Sequence, residues 1–528
     1  MYNRAHQKKQ LKSIQKFDIV VIGGGASGLG IAVDAASRGF KVALFEAYDF
    51  AKGTSSRSTK LVHGGVRYLA QGNIKLVKDA LKERGLIEKN VNHLFKRQTF
   101  LIPNYAHWDK YYYGIGLKVY DWLSSNLSIG KSRIVSTDEA SDHIQELKVE
   151  GLTGGVTYLD GQFDDARLAL NLAQTAIEQG ATVLNYFKVT DFVKNEDGQI
   201  EGVEVLDTET YETIRVNSKV VVNATGVFSN KILKLAGRKK KSLKVVPSQG
   251  IHLVFDRSFL KGNTALMVPK TSDGRVLFAI PWHNKVLVGT TDTPIKKPKF
   301  EPRAFKEEID FILATMAEYF TKAPTRKDVL SVFAGLRPLV APEGDKSNTK
   351  EISRSHQIIH SESGLLTIVG GKWTTYREMS EDVLNEAIKV HQLNEIEAKT
   401  ETLKIHGSIP EENKNAIPKD LWYYGNDAIE LQSFIASNPD YETRLHPNYK
   451  FQKGQVYWAI QHEMARTVED FLARRIRLLF IDAKAAIACS EIVADILQAE
   501  LKTSDDWRDR QVEDFKNLAE GYLIQNHD

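Results

Sequence analysis

The chain has 528 residues, of which 42% are hydrophobic and 26% charged, and this composition excludes bulk disorder. Its length predicts two or three domains. A net charge of +4 does not favour a nucleic-acid partner, and the single cysteine, Cys489, excludes an internal disulfide and any cysteine-based zinc or iron–sulfur site. We therefore predict no nucleic-acid ligand and no bound metal ion.

The chain begins with a polar segment followed by the pattern of a β-α-β unit. Met1–Lys16 is basic and has no acidic residue, which predicts a disordered tail. The apolar runs Phe17–Ile22 and Phe40–Glu46 predict two buried parallel strands, joined by a helix from about Leu29 to Arg38.

The turn after the first strand, Gly23 to Gly28, matches the pattern G-x-G-x-x-G. The first glycine permits a tight turn, Gly25 lets the backbone approach a pyrophosphate, and Gly28 lets the helix pack closely on the strand. The helix N-terminus offers free N–H groups to phosphates. Glu46 ends the second strand and is placed to accept hydrogen bonds from a ribose. This order of elements predicts a dinucleotide site, and the acid argues against a 2′-phosphate.

The rest of the chain predicts further helices and a second sheet. A helical pattern covers about Ile74 to Asn90, and we interpret the aromatic stretch His107–Leu127 as a helix packed in the core. Strand-like runs with Gly and Pro turns from Lys244 to Val340 predict a mixed sheet with one helix near Phe305–Tyr319. After about Val390 the pattern is largely helical. No run of 18 apolar residues is present, so no membrane-spanning helix is expected.

Two later segments favour FAD over NAD, which the glycine pattern alone does not distinguish. Val220–Gly226 is an apolar strand ending in Ala-Thr-Gly, and Gly370-Gly371 follows the strand Leu366–Val369 and precedes a helix. The second glycine turn directs another helix N-terminus toward the carboxyl ends of the sheet, where its dipole would stabilise negative charge on a reduced flavin. Both segments resemble motifs of two-domain FAD oxidoreductases.

Thr54–Leu69, with the sequence TSSRSTKLVHGGVRYL, resembles the flavin-contacting segment of the aerobic FAD-dependent glycerol-3-phosphate dehydrogenases. Further matches follow in family order: FDDAR at 163–167, NATG at 223–226, SQGIH at 248–252, IPW at 280–282, GTTD at 289–292, GLRPL at 335–339 and GGKWTTYR at 370–377. DFLARRIRL at 470–478 resembles the family's helical domain more loosely. The chain departs from the commonest family wording at Arg57 and Trp373, close to the expected flavin.

The resemblance implies an α/β fold, α+β overall, in three parts. A Rossmann-like FAD-binding domain would comprise residues 17–100, 150–245 and 350–390. A mixed-sheet substrate-binding (cap) domain would comprise 101–149 and 246–349, and a C-terminal helical domain would comprise 391–528. It also implies oxidation of sn-glycerol 3-phosphate to dihydroxyacetone phosphate by hydride transfer to FAD, with electrons passed to a membrane quinone. Such an enzyme would be peripheral on the inner face of the cell membrane, and a homodimer stays open.

Oxidation of a phosphorylated secondary alcohol needs a base and cations, and the matched motifs supply candidates. His63 is the candidate base, because imidazole titrates near working pH; the alternative is that it orients the flavin. Arginine suits bidentate phosphate contacts. The predicted catalytic residues are His63, Arg67, Arg337 and Lys372, and the predicted substrate-binding residues are Arg67, Thr290, Thr291, Arg337, Arg354 and Lys372.

The cofactor site follows from the glycine turn and from the resemblance. The predicted FAD-binding residues are Gly23, Gly25, Ala26, Ser27, Gly28, Glu46, Thr54, Ser55, Ser56, Ser58, Lys60, Leu61, His63, Gly64, Gly65, Ala224, Gly226, Gly371, Lys372 and Thr374.

Other readings of the sequence stay open. A glycerol-3-phosphate oxidase using oxygen would share most of these motifs, and an amine or hydroxy-acid oxidoreductase would need fewer cations. A non-catalytic FAD-binding protein is the alternative outside enzymes. Basic clusters at Arg238–Lys241, at Lys296–Lys299 and at Arg474, Arg475 and Arg477 are candidates for contact with anionic lipid, with solvated charge or contacts between helices of a dimer as the alternative.

Overall fold

The computed structural model describes residues 2–66, 69, 72–106, 109–124, 127–237, 243–342 and 356–526. The α-helices span Arg4–Ser13, Ala26–Ser37, Ile74–Asn90, Asp109–Leu123, Thr137–His143, Asp165–Glu178, Ser229–Leu235, Lys306–Tyr319, Tyr376–His391, Asp427–Ala436, Lys453–His462, Leu478–Ile481, Ala483–Leu501 and Asp505–Glu520. The strands are β1 Lys16–Ile22, β2 Val42–Phe45, β3 Leu61–Val62, β4 Lys96–Asn104, β5 Arg133–Val135, β6 Gly154–Gln162, β7 Thr182–Leu184, β8 Phe187–Lys194, β9 Ile200–Asp207, β10 Thr213–Asn223, β11 Leu243–Asp256, β12 Ala265–Val268, β13 Leu277–Trp282, β14 Lys285–Gly289, β15 Thr293–Pro294, β16 Val329–Pro342, β17 Gln357–His360 and β18 Leu366–Val369.

The first sheet has the order β17-β18-β10-β1-β2-β7, with β9 and β8 added beside β10. β1 pairs in parallel with both β10 and β2, and β18 pairs in parallel with β10. Helices Ala26–Ser37, Asp165–Glu178 and Tyr376–His391 bury apolar side chains in the same core as β1 and β2. The predicted β-α-β unit and Rossmann-like sheet are confirmed. Because the strands are parallel, the loops after β1, β2, β10 and β18 meet at one edge.

The second sheet has the order β15-β11-β14-β13-β12-β4-β6-β3, with β16 paired to β11 and β5 paired to β6. It is mixed, because β12 and β4 are parallel and the long β11–β16 pair is antiparallel. Helix Lys306–Tyr319 covers it with Ile309, Ile312 and Met316. The predicted mixed sheet and its helix are thus confirmed, while the exact domain boundaries stay a prediction.

The C-terminal helices share a core with the second sheet. Phe471, Leu479 and Phe480 pack in one cluster with Val254 of β11 and Phe333 of β16. A π-helical turn covers Asp470–Arg475 and points its arginines into the protein. Among the described residues, no helix has the length and apolar character needed to cross a bilayer.

The predicted disordered tail was wrong, because residues 4–13 form a helix docked on the first sheet. Arg4 forms an ion pair of 3.0 Å with Asp207, and Gln7 Oε1 accepts a hydrogen bond of 2.9 Å from Val183 N. Leu11 is buried in the sheet's second core. The segment is held mainly by polar contacts to distant partners, which a search for apolar periodicity does not detect.

The prediction for the aromatic stretch was only half correct. The helix is present, and Leu117 and Tyr120 are buried, but Tyr111, Tyr112 and Trp122 are exposed. Periodicity identified the helix, but aromatic content alone does not reveal which of its faces meets the protein.

Two neighbouring cavities form the candidate active site

A cavity of about 410 Å³ lies at the carboxyl ends of the parallel strands. The glycine turn after β1, the end of β2, the Ala-Thr-Gly segment after β10 and the Gly-Gly turn after β18 all line it. Its lining includes the predicted cofactor residues Gly23, Gly25, Ala26, Ser27, Glu46, Thr54, Ser55, Ala224, Gly226, Gly371 and Lys372. Four loops that are separate in the sequence thus line one continuous cavity.

The glycine turn allows the backbone to approach at close range. Gly23 has φ +111°, and a Cβ there would lie 2.8 Å from Ala224 O. A Cβ on Gly28 would lie 1.9 Å from Gly23 O, so no side chain fits between turn and helix. The helix N-terminus therefore faces the cavity with its N–H groups, one of which, on Ala26, donates 2.9 Å to Ser55 Oγ.

Glu46 is fixed by the backbone on both of its carboxylate oxygens. They accept hydrogen bonds of 2.6 Å from Gly24 N and 2.9 Å from Tyr48 N. Burial raises the pKa of Glu46, which these two bonds oppose. Each oxygen retains capacity for a second donor, so the carboxylate can still accept a ribose hydroxyl. The turn, the helix end and this acid together fit an FAD adenosine diphosphate moiety.

A smaller cavity of about 170 Å³ lies on the second sheet. Segment 54–66 joins the two cavities, because Thr54 and Ser55 line the larger one, and Thr59, Leu61, His63 and Gly65 line the smaller. In the same way, Pro338 lines the larger cavity and its neighbour Arg337 lines the smaller one. The smaller cavity is lined by the predicted catalytic residue His63 and by the predicted substrate-binding residues Thr290, Thr291 and Arg337.

Arg337 is held between a hydroxyl and a carboxylate at the smaller cavity. Its Nη2 donates 3.2 Å to Thr290 Oγ1, and its Nη1 lies 3.3 Å from Asp292 Oδ1. Asp292 also accepts a hydrogen bond from Ser248. The guanidinium is partly exposed, with 24% of the side chain accessible, so it can still meet a ligand.

Thr291 differs from Arg337 in its capacity to meet a ligand. Its hydroxyl donates 2.8 Å to Glu308 and accepts 3.0 Å from Ile251 N, and the residue is 1% exposed. Both functions of the hydroxyl are therefore used inside the protein, and the observed contacts assign Thr291 to holding the strand end.

Two residues of the smaller cavity region were missed from the sequence. Arg275 lines the cavity, and its buried Nη1 has no hydrogen-bond partner among the described residues. Its position just before β13, which carries the IPW match, was the available signal. His252 lies within the SQGIH match, and its Nε2 lies 3.0 Å from the hydroxyl of Thr59, which lines the cavity. Burial lowers the pKa of His252 well below its usual value, aided by Lys60 and Arg337.

Several predicted cofactor residues line neither cavity. Gly28 and Gly64 are tightly packed by neighbours, and Thr374 Oγ1 accepts 3.2 Å from His63 N. Ser56 and Ser58 also face inward, where the Ser58 hydroxyl donates 2.7 Å to Asp165. Lys372 lines the larger cavity, not the smaller one. Arg67 and Arg354 lie outside the described residues.

Lys60 requires a correction, because its side chain is enclosed under the segment. Its Nζ donates 2.7 Å to Asp165 and 2.8 Å to Ser56 O, and it lies 5.2–5.6 Å from the ring centres of Trp282, Phe333 and Phe480. Burial lowers the pKa of Lys60 to about 7. Even where segment 54–66 runs beside the cofactor cavity, some of its side chains, such as that of Lys60, point away from the cavity.

The predicted lipid role of Arg474, Arg475 and Arg477 was also wrong, because all three are buried in ion pairs. Arg477 Nη2 donates 2.7 Å to Ser56 O and lies 3.1 Å from Asp165. Arg474 and Arg475 both pair with the buried Asp49. We call Lys60, Asp165 and Arg477 the buried charge cluster; it ties the C-terminal part to the segment that joins the cavities. Cluster Arg238–Lys241 lies outside the described residues, and Lys296 and Lys299 are exposed.

Comparisons with known proteins agree with this geometry. The family model "FAD dependent oxidoreductase" matches residues 18–377, and the model "C-terminal domain of alpha-glycerophosphate oxidase" matches residues 366–508. The mitochondrial glycerol-3-phosphate dehydrogenase of Schizosaccharomyces pombe is 36% identical over 98% of this chain and 89% of its own length. The corresponding Saccharomyces cerevisiae protein is 34% identical over 98% of this chain and 91% of its own length.

A solved structure of glycerol-3-phosphate dehydrogenase from Bacillus halodurans, complexed with FAD, superposes with a TM-score of 0.81 at 28% identity, covering 99% of each chain. The match to the family model, the near full-length relatives and the cavity at the strand ends agree on the cofactor, which is FAD. The chain belongs to the FAD-dependent oxidoreductase family and, within it, to the glycerol-3-phosphate dehydrogenases.

Proposed function

We propose that this protein oxidises sn-glycerol 3-phosphate to dihydroxyacetone phosphate, with electrons passed on to a membrane quinone. The observation that carries the proposal is the smaller cavity, where arginines and a threonine hydroxyl lie beside the segment that also lines the cofactor cavity. Its volume of about 170 Å³ suits a small ligand. The names of the relatives support the choice of substrate.

The phosphate would bind between Arg337 and Arg275. Arg337 is already oriented by Thr290 and Asp292, so its planar fork is preorganised for two phosphate oxygens. The Nη1 of Arg275 is a buried donor that a phosphate oxygen would satisfy. We retain Arg67 and Arg354 as predicted partners of the same phosphate. The contacts of Thr291 make it a weaker choice than Thr290.

Removal of the substrate's hydroxyl proton requires a base in the smaller cavity. We propose His63, which lines the cavity and whose backbone is fixed by Thr374. The alternative role, orientation of the flavin, stays open. The pair Thr59–His252 is a second candidate by position, because His252 Nε2 lies 3.0 Å from the Thr59 hydroxyl, but burial lowers the pKa of His252 well below its usual value and makes this imidazole the weaker base. Bound FAD supplies the acceptor for the hydride.

We propose that the cofactor is held as the larger cavity suggests, with the pyrophosphate at Gly25 and Ala26, the ribose at Glu46 and the ring system near Gly371 and Lys372. The quinone acceptor, peripheral attachment at the inner face of the cell membrane and a homodimer are parts of the proposal that follow from the family resemblance. The same holds for the division into domains at residues 101, 246 and 391.

The test is an anaerobic titration of the purified flavoprotein with sn-glycerol 3-phosphate. We expect loss of the oxidised-flavin absorbance. Glycerol, which lacks the phosphate, and a 2-hydroxy acid, which carries a carboxylate instead, are the matched controls. A spectrum that bleaches with neither glycerol nor the phosphate ester would remove the proposed substrate while leaving the FAD site in place.

A glycerol-3-phosphate oxidase is the second candidate, favoured by the match of residues 366–508 to a domain named for such an oxidase. Turnover in air distinguishes the two functions. The dehydrogenase should yield little hydrogen peroxide and respond strongly to an added quinone, whereas stoichiometric peroxide would favour the oxidase.

A further inference from the structure

Helix Asp109–Leu123, called here the aromatic helix, carries apolar side chains on two opposite faces. Leu117 and Tyr120 pack in a core cluster with Val77, Leu81 and Phe100. A helix on the surface of a soluble domain normally turns polar side chains outward, and one that is apolar all round is normally enclosed. The outward face of this helix therefore needs an explanation.

The outward face consists mainly of large apolar and aromatic side chains. Tyr112, Ile115 and Trp122 are 64%, 67% and 78% exposed, and Tyr111 and Val119 are 52% and 39% exposed. These positions recur at the helical spacing of three to four residues, so they form one stripe. Ile134 of β5 extends the stripe, because it lies beside Gly114 and is itself 44% exposed. Within residues 111–123, Lys118 is the exposed charged side chain.

Basic side chains lie around this stripe. Lys131 and Arg133 are exposed near its end, where Arg133 lies 3.6 Å from Glu139, and Lys75 and Lys78 are exposed on helix Ile74–Asn90, which packs beside the aromatic helix. The nearby acid Asp121 is engaged, since it accepts hydrogen bonds of 2.7 Å from both the backbone N and the hydroxyl of Ser132. The surroundings therefore favour a negatively charged partner.

We propose that the stripe Tyr111, Tyr112, Ile115, Val119, Trp122 and Ile134 inserts into the headgroup region of an anionic lipid bilayer. Tyrosine and tryptophan are the side chains enriched at membrane interfaces, and flanking lysines attract anionic lipid. The helix has 15 residues, fewer than the ~20 that span a bilayer, so it lies in the plane of the interface. A second protein surface would bury the same stripe, but the lysines and the interfacial aromatic side chains Tyr111, Tyr112 and Trp122 favour lipid.

The buried face of the same helix reaches the candidate active site. The Tyr120 hydroxyl donates 2.6 Å to Asp160, which lines the smaller cavity, and accepts 2.8 Å from Gly64 N. The lipid-binding stripe and the substrate cavity therefore lie on opposite sides of one helix. The inference rests on the membrane association in the proposed function, and it is independent of the substrate.

The test is flotation of the full-length flavoprotein with vesicles of phosphatidylcholine and phosphatidylglycerol in equal parts. The variant Ile115→Glu/Trp122→Glu places two charges in the stripe, and we expect its vesicle partitioning to fall by about 10²-fold or more. The matched control Val390→Glu/Tyr211→Glu changes two exposed apolar side chains elsewhere on the surface and should bind as the wild type does. Reduction of a soluble dye by substrate should be unchanged in both variants, which also reports that they fold.

A milder variant keeps the test decisive if the double variant does not fold. Brominated lipid should quench part of the tryptophan fluorescence of the wild type, and Trp122→Phe should remove that part while retaining binding. Wild-type protein that does not float, a double variant that floats like the wild type, or quenching that persists in Trp122→Phe would each overturn the inference. So would a lipid-free dimer that the double variant dissociates, because the stripe would then be a protein interface. Failure of substrate to bleach the flavin, with flotation as expected, would count against the proposed function alone.

Discussion

The two cavities are built in different ways. The larger one is shaped by backbone, through a glycine turn, helix ends and a carboxylate that is itself held by two N–H groups. The smaller one is shaped by side chains from separate strands and the residues beside them, and its charged and hydroxyl groups include Arg275, Thr290 and Arg337. Backbone shape depends on short sequence patterns, whereas the second arrangement depends on how distant strands pair. The cavities should therefore respond differently to substitution.

The largest expected effect is at the backbone-built cavity. Gly28→Ala places a Cβ 1.9 Å from Gly23 O, which forces the turn away from the helix. We expect loss of bound FAD, measured as the ratio of flavin to protein absorbance. Gly116→Ala is the matched control, because a Cβ there meets nothing within 4 Å. Full FAD content in Gly28→Ala would show that the cavity tolerates a shifted turn.

His63→Ala should retain FAD and lower the rate of flavin reduction by substrate about 10²–10⁴-fold, as loss of a general base does. Stopped-flow spectroscopy measures this rate without any acceptor. Thr59→Val is the companion variant, since it disconnects His252 from the cavity. A normal rate in His63→Ala with a slow one in Thr59→Val would transfer the base role to the second pair.

Arg337→Ala should raise KM for the phosphorylated substrate by about 10²-fold, because it removes a bidentate phosphate partner and leaves Asp292 in the cavity. Arg275→Ala should act in the same direction by about tenfold. Steady-state kinetics with a soluble dye gives both values. FAD content should stay normal in both variants, and a loss of FAD would contradict the separation of the two cavities.

The smallest effect concerns pH and the buried charge cluster. The pKa of Lys60 is lowered in the folded state to about 7 from 10.5, so the unfolded chain binds more protons between these values. Stability should therefore gain a contribution that rises with pH across this window, by at most about 1.4 kcal/mol per pH unit. Lys60→Met should flatten the dependence of Tm on pH between about 7 and 9. An unchanged slope would show that Lys60 stays charged beside Asp165.

Much of the fold and of the cofactor cavity could be predicted because the signals are local. The turn Gly23–Gly28, the acid Glu46 and the Gly370-Gly371 turn each lie beside a strand that apolar runs identify. The smaller cavity was predicted only in part, because Arg275 belongs to it through strand pairing. Side-chain direction was the main source of error. Lys60 was predicted to bind FAD and Arg477 was a candidate for lipid contact, yet both side chains are buried and contact Asp165, which lies more than 100 residues away along the chain from each.

The direction of side chains also explains the two wrong predictions about burial, at the N-terminal segment and at the aromatic helix. Arg4 and Gln7 looked like parts of a solvated tail because their buried partners, Asp207 and Val183, are remote in sequence. The aromatic helix looked like core because apolar residues usually are buried in a soluble domain. Polarity predicts burial only on average. The exceptions in this protein are the polar helix Arg4–Ser13, which docks on the first sheet, and the apolar outward face of the aromatic helix.

Segment 54–66 contributes to both cavities at once, and this shared use limits how the enzyme can be redesigned. A change at Thr59 or His63 intended to admit a different alcohol would also disturb the neighbouring residues Thr54 and Ser55 at the flavin site. Positions such as Arg275 and Val276, by contrast, line the smaller cavity alone. A library intended to change substrate preference while retaining the cofactor should therefore vary the residues just before β13 and leave the shared segment intact.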